Sequence, residues 1–249
     1  GNDGVLPLQT ARKIAVIGPT ADDPLALLSG YSFPVHLLIN DTIGSAENVM
    51  TPRAAFESAL GADKVVYARG CNILDERKYG APVFPGDKVD SSGLDIASNL
   101  STRRDMIEDA VAAAKSAEVA VVCVGDLSGL FQTGTVGEGS DADTLDLPGV
   151  QQELLDAVVA TGTPVVVVVI SGRPYNLGGL EDKLSALVYS FAGVQQRGPA
   201  LFHLLSGAVA PSGPLPIPVP RMVRAVPYFH NPSIGCSGAH SASPYCPLY

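Results

Sequence analysis

The run Glu118-Val-Ala-Val-Val-Cys-Val-Gly-Asp126 decides the fold, because it is apolar almost throughout and has the length of one β-strand. Strands that are continuously apolar, and not alternating, are typical of a parallel sheet covered on both faces. This run and four others of the same character predict five strands, at residues 13–18, 64–68, 119–124, 165–170 and 186–191.

Segments with helical periodicity lie between these predicted strands. Thr51 precedes a proline and predicts the start of one helix, and Thr102 with Asp105 forms a capping-box pattern that predicts a second. Pro148 is typical of the first turn of a third helix, and a fourth is expected over residues 195–205. Alternating strands and helices predict an α/β fold: a three-layer α/β/α sandwich with a mainly parallel sheet, followed by an extended Pro/Gly-rich C-terminal tail.

An isolated glutamate lies in the Gly-rich loop Gly137-Glu-Gly-Ser-Asp-Ala-Asp-Thr-Leu-Asp-Leu-Pro-Gly-Val-Gln151, between the third strand and the helix after it. Open α/β sheets bind ligands beyond the carboxyl ends of their strands. A glutamate on a Gly-flanked loop at this edge can reach a neighbouring domain. Glu138 is therefore the catalytic candidate.

The same loop resembles the C-terminal α/β-sandwich domain of glycoside hydrolase family 3, which contains β-glucosidases and β-xylosidases. The family pattern is close to Glu-Gly-x-Asp-Arg followed by Leu-x-Leu-Pro-Gly-x-Gln, and Glu138 stands at its first position. Further similarity is found in four segments of the chain: Asn2-Asp-Gly-Val-Leu-Pro-Leu8, Lys13-Ile-Ala-Val-Ile-Gly-Pro19, Ser171-Gly-Arg-Pro174 and Pro211-Ser-Gly-Pro-Leu-Pro216. The resemblance covers nearly the whole chain.

The resemblance implies that Glu138 is the general acid/base of a retaining exo-β-glycosidase acting on β-glucosides or β-xylosides. The family's aspartate nucleophile lies on a preceding (β/α)8 barrel, so the implied partners are that barrel of the same enzyme and an oligosaccharide or aryl or alkyl β-glycoside. The chain alone is then expected to be inactive. The implied organisation is a linker at 1–12, the sandwich at 13–220, and a tail at 221–249 that stops before the family's next element.

Aromatic residues are the first candidates for sugar contacts, because aromatic faces stack on the apolar faces of pyranose rings. The chain has no tryptophan. Tyr31 and Phe33 lie in a segment that resembles a family loop near the aglycone, and Phe131 lies on the loop of Glu138. Asp126, at the end of the third strand, could orient a sugar hydroxyl or serve in a turn or cap.

Composition argues against several other functions. A net charge of −9 with scattered cations disfavours a nucleic-acid partner. The longest apolar run, residues 165–170, is far shorter than the roughly 20 residues of a membrane-spanning helix. The four histidines show no metal-binding spacing and no phosphate loop is present, so we expect neither metal nor cofactor. Secreted and cytoplasmic locations both remain open.

Two alternatives compete with the glycosidase. The first is a detached or degenerate domain that binds carbohydrate or a partner protein without turnover, which Ala142, in place of the family's arginine, favours. The second is a flavodoxin-like nucleotide or flavin module, which rests on architecture alone. Cys71 and Cys123 are expected to be core thiols, whereas Cys236 and Cys246 in the tail leave a disulfide open.

Overall fold

A computed structural model describes most of the sandwich and the start of the chain. The described residues are 3–10, 12–32, 48–76, 99–129, 134–138, 140, 142, 144–191, 193–213, 215–217 and 219. The predicted tail, with Cys236 and Cys246, lies outside them.

Five strands form one parallel sheet in the described part of the chain. They are β1 (Ile14–Ile17), β2 (Val65–Ala68), β3 (Val119–Gly125), β4 (Val165–Ile170) and β5 (Ala186–Ser190). Their order is β2-β1-β3-β4-β5, and every neighbouring pair is parallel. The predicted strands are therefore confirmed, with ends that differ by one residue at most.

In the described ranges, four α-helices cover the sheet, two on each face. They are α1 (Pro52–Leu60), α2 (Ile107–Lys115), α3 (Gln151–Val159) and α4 (Arg197–Leu205). One apolar cluster joins α2 and α3 to every second strand residue, such as Val122 and Val167. The other joins α1 and α4 to the residues between, such as Val121 and Val168. The α/β sandwich with helices on both faces is confirmed.

Two predicted helix starts are wrong. The helix after Thr102 begins at Ile107 with Met106 at its N-cap position, so Thr102 and Asp105 do not form its capping box. Asp105 instead pairs with Arg103 on the surface. Pro148 precedes α3, which begins at Gln151, so it is not a first-turn proline. The start of α1 is as predicted, because the Thr51 hydroxyl accepts from the Ala54 N–H at 3.2 Å.

The segment before β1 packs on the sandwich. Leu8 is buried against the face covered by α1 and α4, and its N–H donates to the Leu205 carbonyl at 2.7 Å. The Asp3 N–H donates to the Ser185 carbonyl at 2.8 Å. These contacts hold the segment before β1 against the start of β5 and the end of α4. Among the described residues, none of the helices combines the length and apolar character needed to cross a bilayer.

Candidate active site

The candidate site lies where the strand order reverses, between β1 and β3. Loops leaving two such neighbouring strands diverge and leave a crevice at the carboxyl edge of the sheet, where α/β folds bind ligands. The two strands approach closely at this edge. A Cβ on Gly18, just after β1, would lie 2.0 Å from the Cys123 carbonyl oxygen, so only glycine fits there. Tyr31 lies on the segment after β1, and Glu138 on the segment after β3.

The segment after β3 folds back on itself before it reaches Glu138. The Leu127 N–H donates to the Thr135 hydroxyl at 2.9 Å, and the Thr135 N–H donates to the Leu127 carbonyl at 2.7 Å. The Gly129 N–H donates to the Val136 carbonyl at 2.9 Å. Gly137 lies so close to Gly129 that a Cβ would be 1.9 Å from its carbonyl oxygen. This closed loop sets the direction in which the chain enters Glu138.

Gln151 holds the other end of the loop. Its side chain is fully buried at the first residue of α3. The amide oxygen accepts from the Gly125 N–H at 2.9 Å, and the amide nitrogen donates to the carbonyls of Gly125 and Pro148 at 2.8 Å each. One side chain thus joins the last residue of β3 to the start of α3. Both ends of the segment that carries Glu138 are fixed to each other.

The Glu138 side chain contacts Tyr31, which lies on the segment after β1. Both residues are exposed, Tyr31 to 68%. The Tyr31 hydroxyl donates a hydrogen bond to Oε2 of Glu138, which joins two loops separated by 107 residues. This bond raises the pKa of Tyr31 above its usual value, because ionising the phenol would remove a donor from the carboxylate. The structure therefore brings together two of the predicted site residues.

Asp126 lies in the interior behind the crevice and is only 2% exposed. Its Oδ2 accepts from the Gly172 N–H and the Tyr175 hydroxyl, at 3.0 Å each. Burial raises the pKa of Asp126 to about 6, partly offset by these two donors. These contacts favour the turn role that the sequence left open over contact with a sugar hydroxyl. Phe33 and Phe131, the other predicted sugar contacts, lie outside the described residues.

Arg197 is a buried cation that sequence analysis missed. Its guanidinium donates to the Phe191 carbonyl at 2.8 Å and to the Ala26 carbonyl at 3.4 Å. Burial lowers the pKa of Arg197 to about 10. It links the end of β5 to the segment that leads to Tyr31. The available signal was a charged residue at the start of a mostly apolar helix.

Other reactive groups in the described residues do not join this site. Cys71 and Cys123 are buried free thiols, as predicted, and burial raises the pKa of each to about 12. Across the described ranges, we find no cluster of three or more His, Cys, Asp or Glu side chains that could hold a metal ion. A groove of about 530 Å³ runs along β2 and α2, and its lining includes neither Tyr31 nor Glu138.

Comparison with known proteins decides the family. Residues 1–246 match the model of the glycosyl hydrolase family 3 C-terminal domain. The chain belongs to this family. The family 3 domain has the observed fold in solved structures: a β-glucosidase involved in saponin metabolism from intestinal bacteria is 27% identical, with a TM-score of 0.69 over 91% of this chain and 32% of that chain.

Curated relatives of the family 3 domain are much longer than this chain. A periplasmic β-glucosidase of Salmonella typhimurium is 31% identical over 91% of this chain and 27% of its own length. A β-xylosidase of Formosa agariphila is 30% identical over 95% of this chain and 28% of its own length. The family 3 domain described here therefore spans about a quarter of these relatives.

Proposed function

We propose that this chain is the acid/base-bearing domain of a retaining exo-β-glycosidase that hydrolyses β-glucosides or β-xylosides, with Glu138 as the general acid/base. The observation that carries the proposal is the place of Glu138, exposed at the carboxyl edge of the sheet on a loop whose two ends are fixed. Family membership supports it. The names of the relatives support the two substrate classes.

The proposed reaction needs a second carboxylate. In a retaining glycosidase, the acid protonates the leaving oxygen while a nucleophile attacks the anomeric carbon from about 5–5.5 Å away and forms a covalent glycosyl-enzyme. The acid, now ionised, then takes a proton from the water that releases the sugar. We place the aspartate nucleophile on a barrel outside this chain. Residues 1–12 would be the linker from that barrel to the sandwich at 13–220, and residues 221–249 would form a tail after the sandwich.

Sugar contacts from this domain would come from Tyr31, Phe33 and Phe131. The exposed ring of Tyr31 lies beside Glu138, where an aglycone leaving C1 would pass, and can stack on it. Asp126 would act from beneath the surface of the site, because its buried carboxylate accepts hydrogen bonds from the Gly172 N–H and the Tyr175 hydroxyl. It would hold the start of the Glu138 loop.

The first experiment compares the 249-residue chain alone with the same chain joined to a family 3 barrel. The chain alone should not hydrolyse aryl β-glucosides or β-xylosides, because an acid without an anomeric nucleophile leaves most of the barrier in place. Turnover by the rigorously purified chain would contradict the two-domain reading.

The second experiment replaces Glu138 in the two-domain protein. Glu138→Ala should lower kcat/KM, which reports the first step, by roughly 10²–10⁴ for alkyl glycosides and much less for dinitrophenyl glycosides, whose leaving group departs with little protonation. Glu108→Ala, at an exposed glutamate of α2, is the matched control and should leave both rates unchanged. Equal losses with both leaving groups would indicate a structural role for Glu138.

A non-catalytic domain is the second candidate, and Ala142 favours it. Ala142 is exposed and lies in the Glu138 loop at the position where the family pattern has arginine, so this chain cannot supply a guanidinium there. A two-domain protein that binds a β-glycoside without hydrolysing it, and that gains activity with Ala142→Arg, would support this candidate.

A further inference from the structure

The contact between Tyr31 and Glu138 distinguishes the two oxygens of the Glu138 carboxylate. Oε2 accepts the Tyr31 hydroxyl proton. Oε1 has no hydrogen-bond partner among the residues that the structure describes. A hydrogen bond to one oxygen restricts how the carboxylate can turn, and the second oxygen remains available for proton exchange.

We propose that Tyr31 is the positioning residue of the acid/base: its hydroxyl holds Oε2 of Glu138, so that Oε1 is the atom that exchanges a proton with the substrate. This inference rests on the proposed function of Glu138. In the first step, Oε1 gives its proton to the leaving oxygen as that oxygen takes the electron pair of the C1–O bond. In the second, a water oxygen bonds to C1, the bond from C1 to the nucleophile's carboxylate breaks with its electron pair going to that carboxylate, and Oε1 takes the proton that the water loses. Tyr31 keeps its own proton throughout.

The segment that carries Tyr31 is built to hold its hydroxyl in place. The Asp23 carboxylate caps the 3-10 helix Pro24–Leu27 by accepting from the Leu25 N–H at 3.0 Å. Leu27 and Leu28 anchor the segment in the core. The turn is then closed around Tyr31, because the Ser32 N–H and hydroxyl both donate to the Ser29 carbonyl, at 3.0 and 2.7 Å.

Packing of the Tyr31 ring does not account for the position of this side chain. It is 68% exposed, so little of it is buried in the domain. The contact that the structure gives this side chain is the bond of its hydroxyl to Glu138. The raised pKa of Tyr31 keeps the phenol protonated, and therefore a donor, through the neutral pH range.

Stacking on the aglycone is the competing role for Tyr31, and the two roles use different atoms. Stacking needs the ring, whereas positioning needs the hydroxyl. Tyr31→Phe removes only the hydroxyl, and Tyr31→Ala removes both. Because Tyr31 is exposed, neither variant should disturb folding, which a thermal melt would check.

The hydrogen bond itself is tested by measuring the Tyr31 pKa in the 249-residue chain by NMR. Tyrosine is labelled with ¹³C at Cζ, and the signal of Tyr31 is the one that is missing from the spectrum of Tyr31→Phe. Glu138→Gln should lower the Tyr31 pKa towards its usual value, because the charged acceptor is gone. Glu108→Gln should leave the titration unchanged. An unchanged Tyr31 titration in Glu138→Gln would overturn the proposal.

The positioning role is tested by kinetics of the chain joined to a family 3 barrel. Tyr31→Phe should lower kcat/KM, which reports the first step, about tenfold for alkyl glycosides, with their KM unchanged, and less than about twofold for dinitrophenyl glycosides. A wild-type kcat in Tyr31→Phe, together with a raised KM in Tyr31→Ala, would show stacking alone and overturn the proposal. That result would leave the role of Glu138 intact, whereas a Glu138→Ala variant without leaving-group dependence would remove both.

Discussion

Replacing Gln151 by methionine should destabilise the domain more than its small change in side-chain volume suggests. The variant leaves three buried backbone groups without partners: the N–H and carbonyl of Gly125 and the carbonyl of Pro148. Each unsatisfied buried group costs about 1–3 kcal/mol. Because methionine fills nearly the same volume, no cavity adds to this cost. The expected loss is roughly 3–9 kcal/mol, a large share of the typical 5–15 kcal/mol stability of a domain.

Urea denaturation of the chain, followed by far-UV circular dichroism, measures this loss. With a slope of about 3 kcal/mol per M, the midpoint should fall by roughly 1–3 M. The control is Gln152→Met on the same turn of α3, which removes one partly exposed bond, to the Leu177 carbonyl at 3.1 Å, and should cost less than about 1 kcal/mol. Equal losses in the two variants would refute the reasoning that Gln151 joins β3 to α3.

Three further predictions concern buried groups. Gly125→Ala should prevent folding to a soluble protein, because its Cβ would lie 1.7 Å from a carbonyl oxygen of β4, whereas Gly162→Ala, with open space around it, should cost only about 1 kcal/mol of backbone strain; expression and thermal melts compare them. Burial raises the folded-state pKa of Asp126 from the usual 3.8 to about 6, so the folded state binds the proton more tightly and the free energy of unfolding should fall as pH rises from about 4 to 6. Asp126→Asn should remove that slope in urea titrations at successive pH values, and an unchanged slope would show that Asp126 is not its source. Cys71 and Cys123 should resist iodoacetamide in the native state and react after denaturation, which peptide mapping would report; native alkylation of either would contradict their burial.

The strands could be predicted from sequence because each is apolar along its whole length. Burial on both faces leaves no polar position in a run such as β4, so the strand can be recognised from a single sequence. The helix starts were less predictable. Asp105 pairs with Arg103 on the surface instead of closing a capping box at Thr102. A short sequence pattern does not specify which of two nearby partners its side chain will bind.

Sequence could propose Glu138 and Tyr31 as separate site residues, but it could not show that they contact each other. Glu138 was marked by its motif and its place after β3, and Tyr31 by its aromatic ring in a loop. Their hydrogen bond joins residues 107 positions apart, and no local pattern specifies such a contact. Gln151 was visible within the motif, yet its role depends on how β3 and α3 meet in space.

The most direct test of the proposed acid/base is azide rescue of Glu138→Ala in the chain joined to a family 3 barrel. With a dinitrophenyl β-glycoside, the variant should accumulate the glycosyl-enzyme, because no base remains to activate water. Azide needs no base, so it should raise the rate and yield the β-glycosyl azide, identified by NMR of the product. If azide leaves the rate unchanged and no β-glycosyl azide forms, Glu138 is not the acid/base.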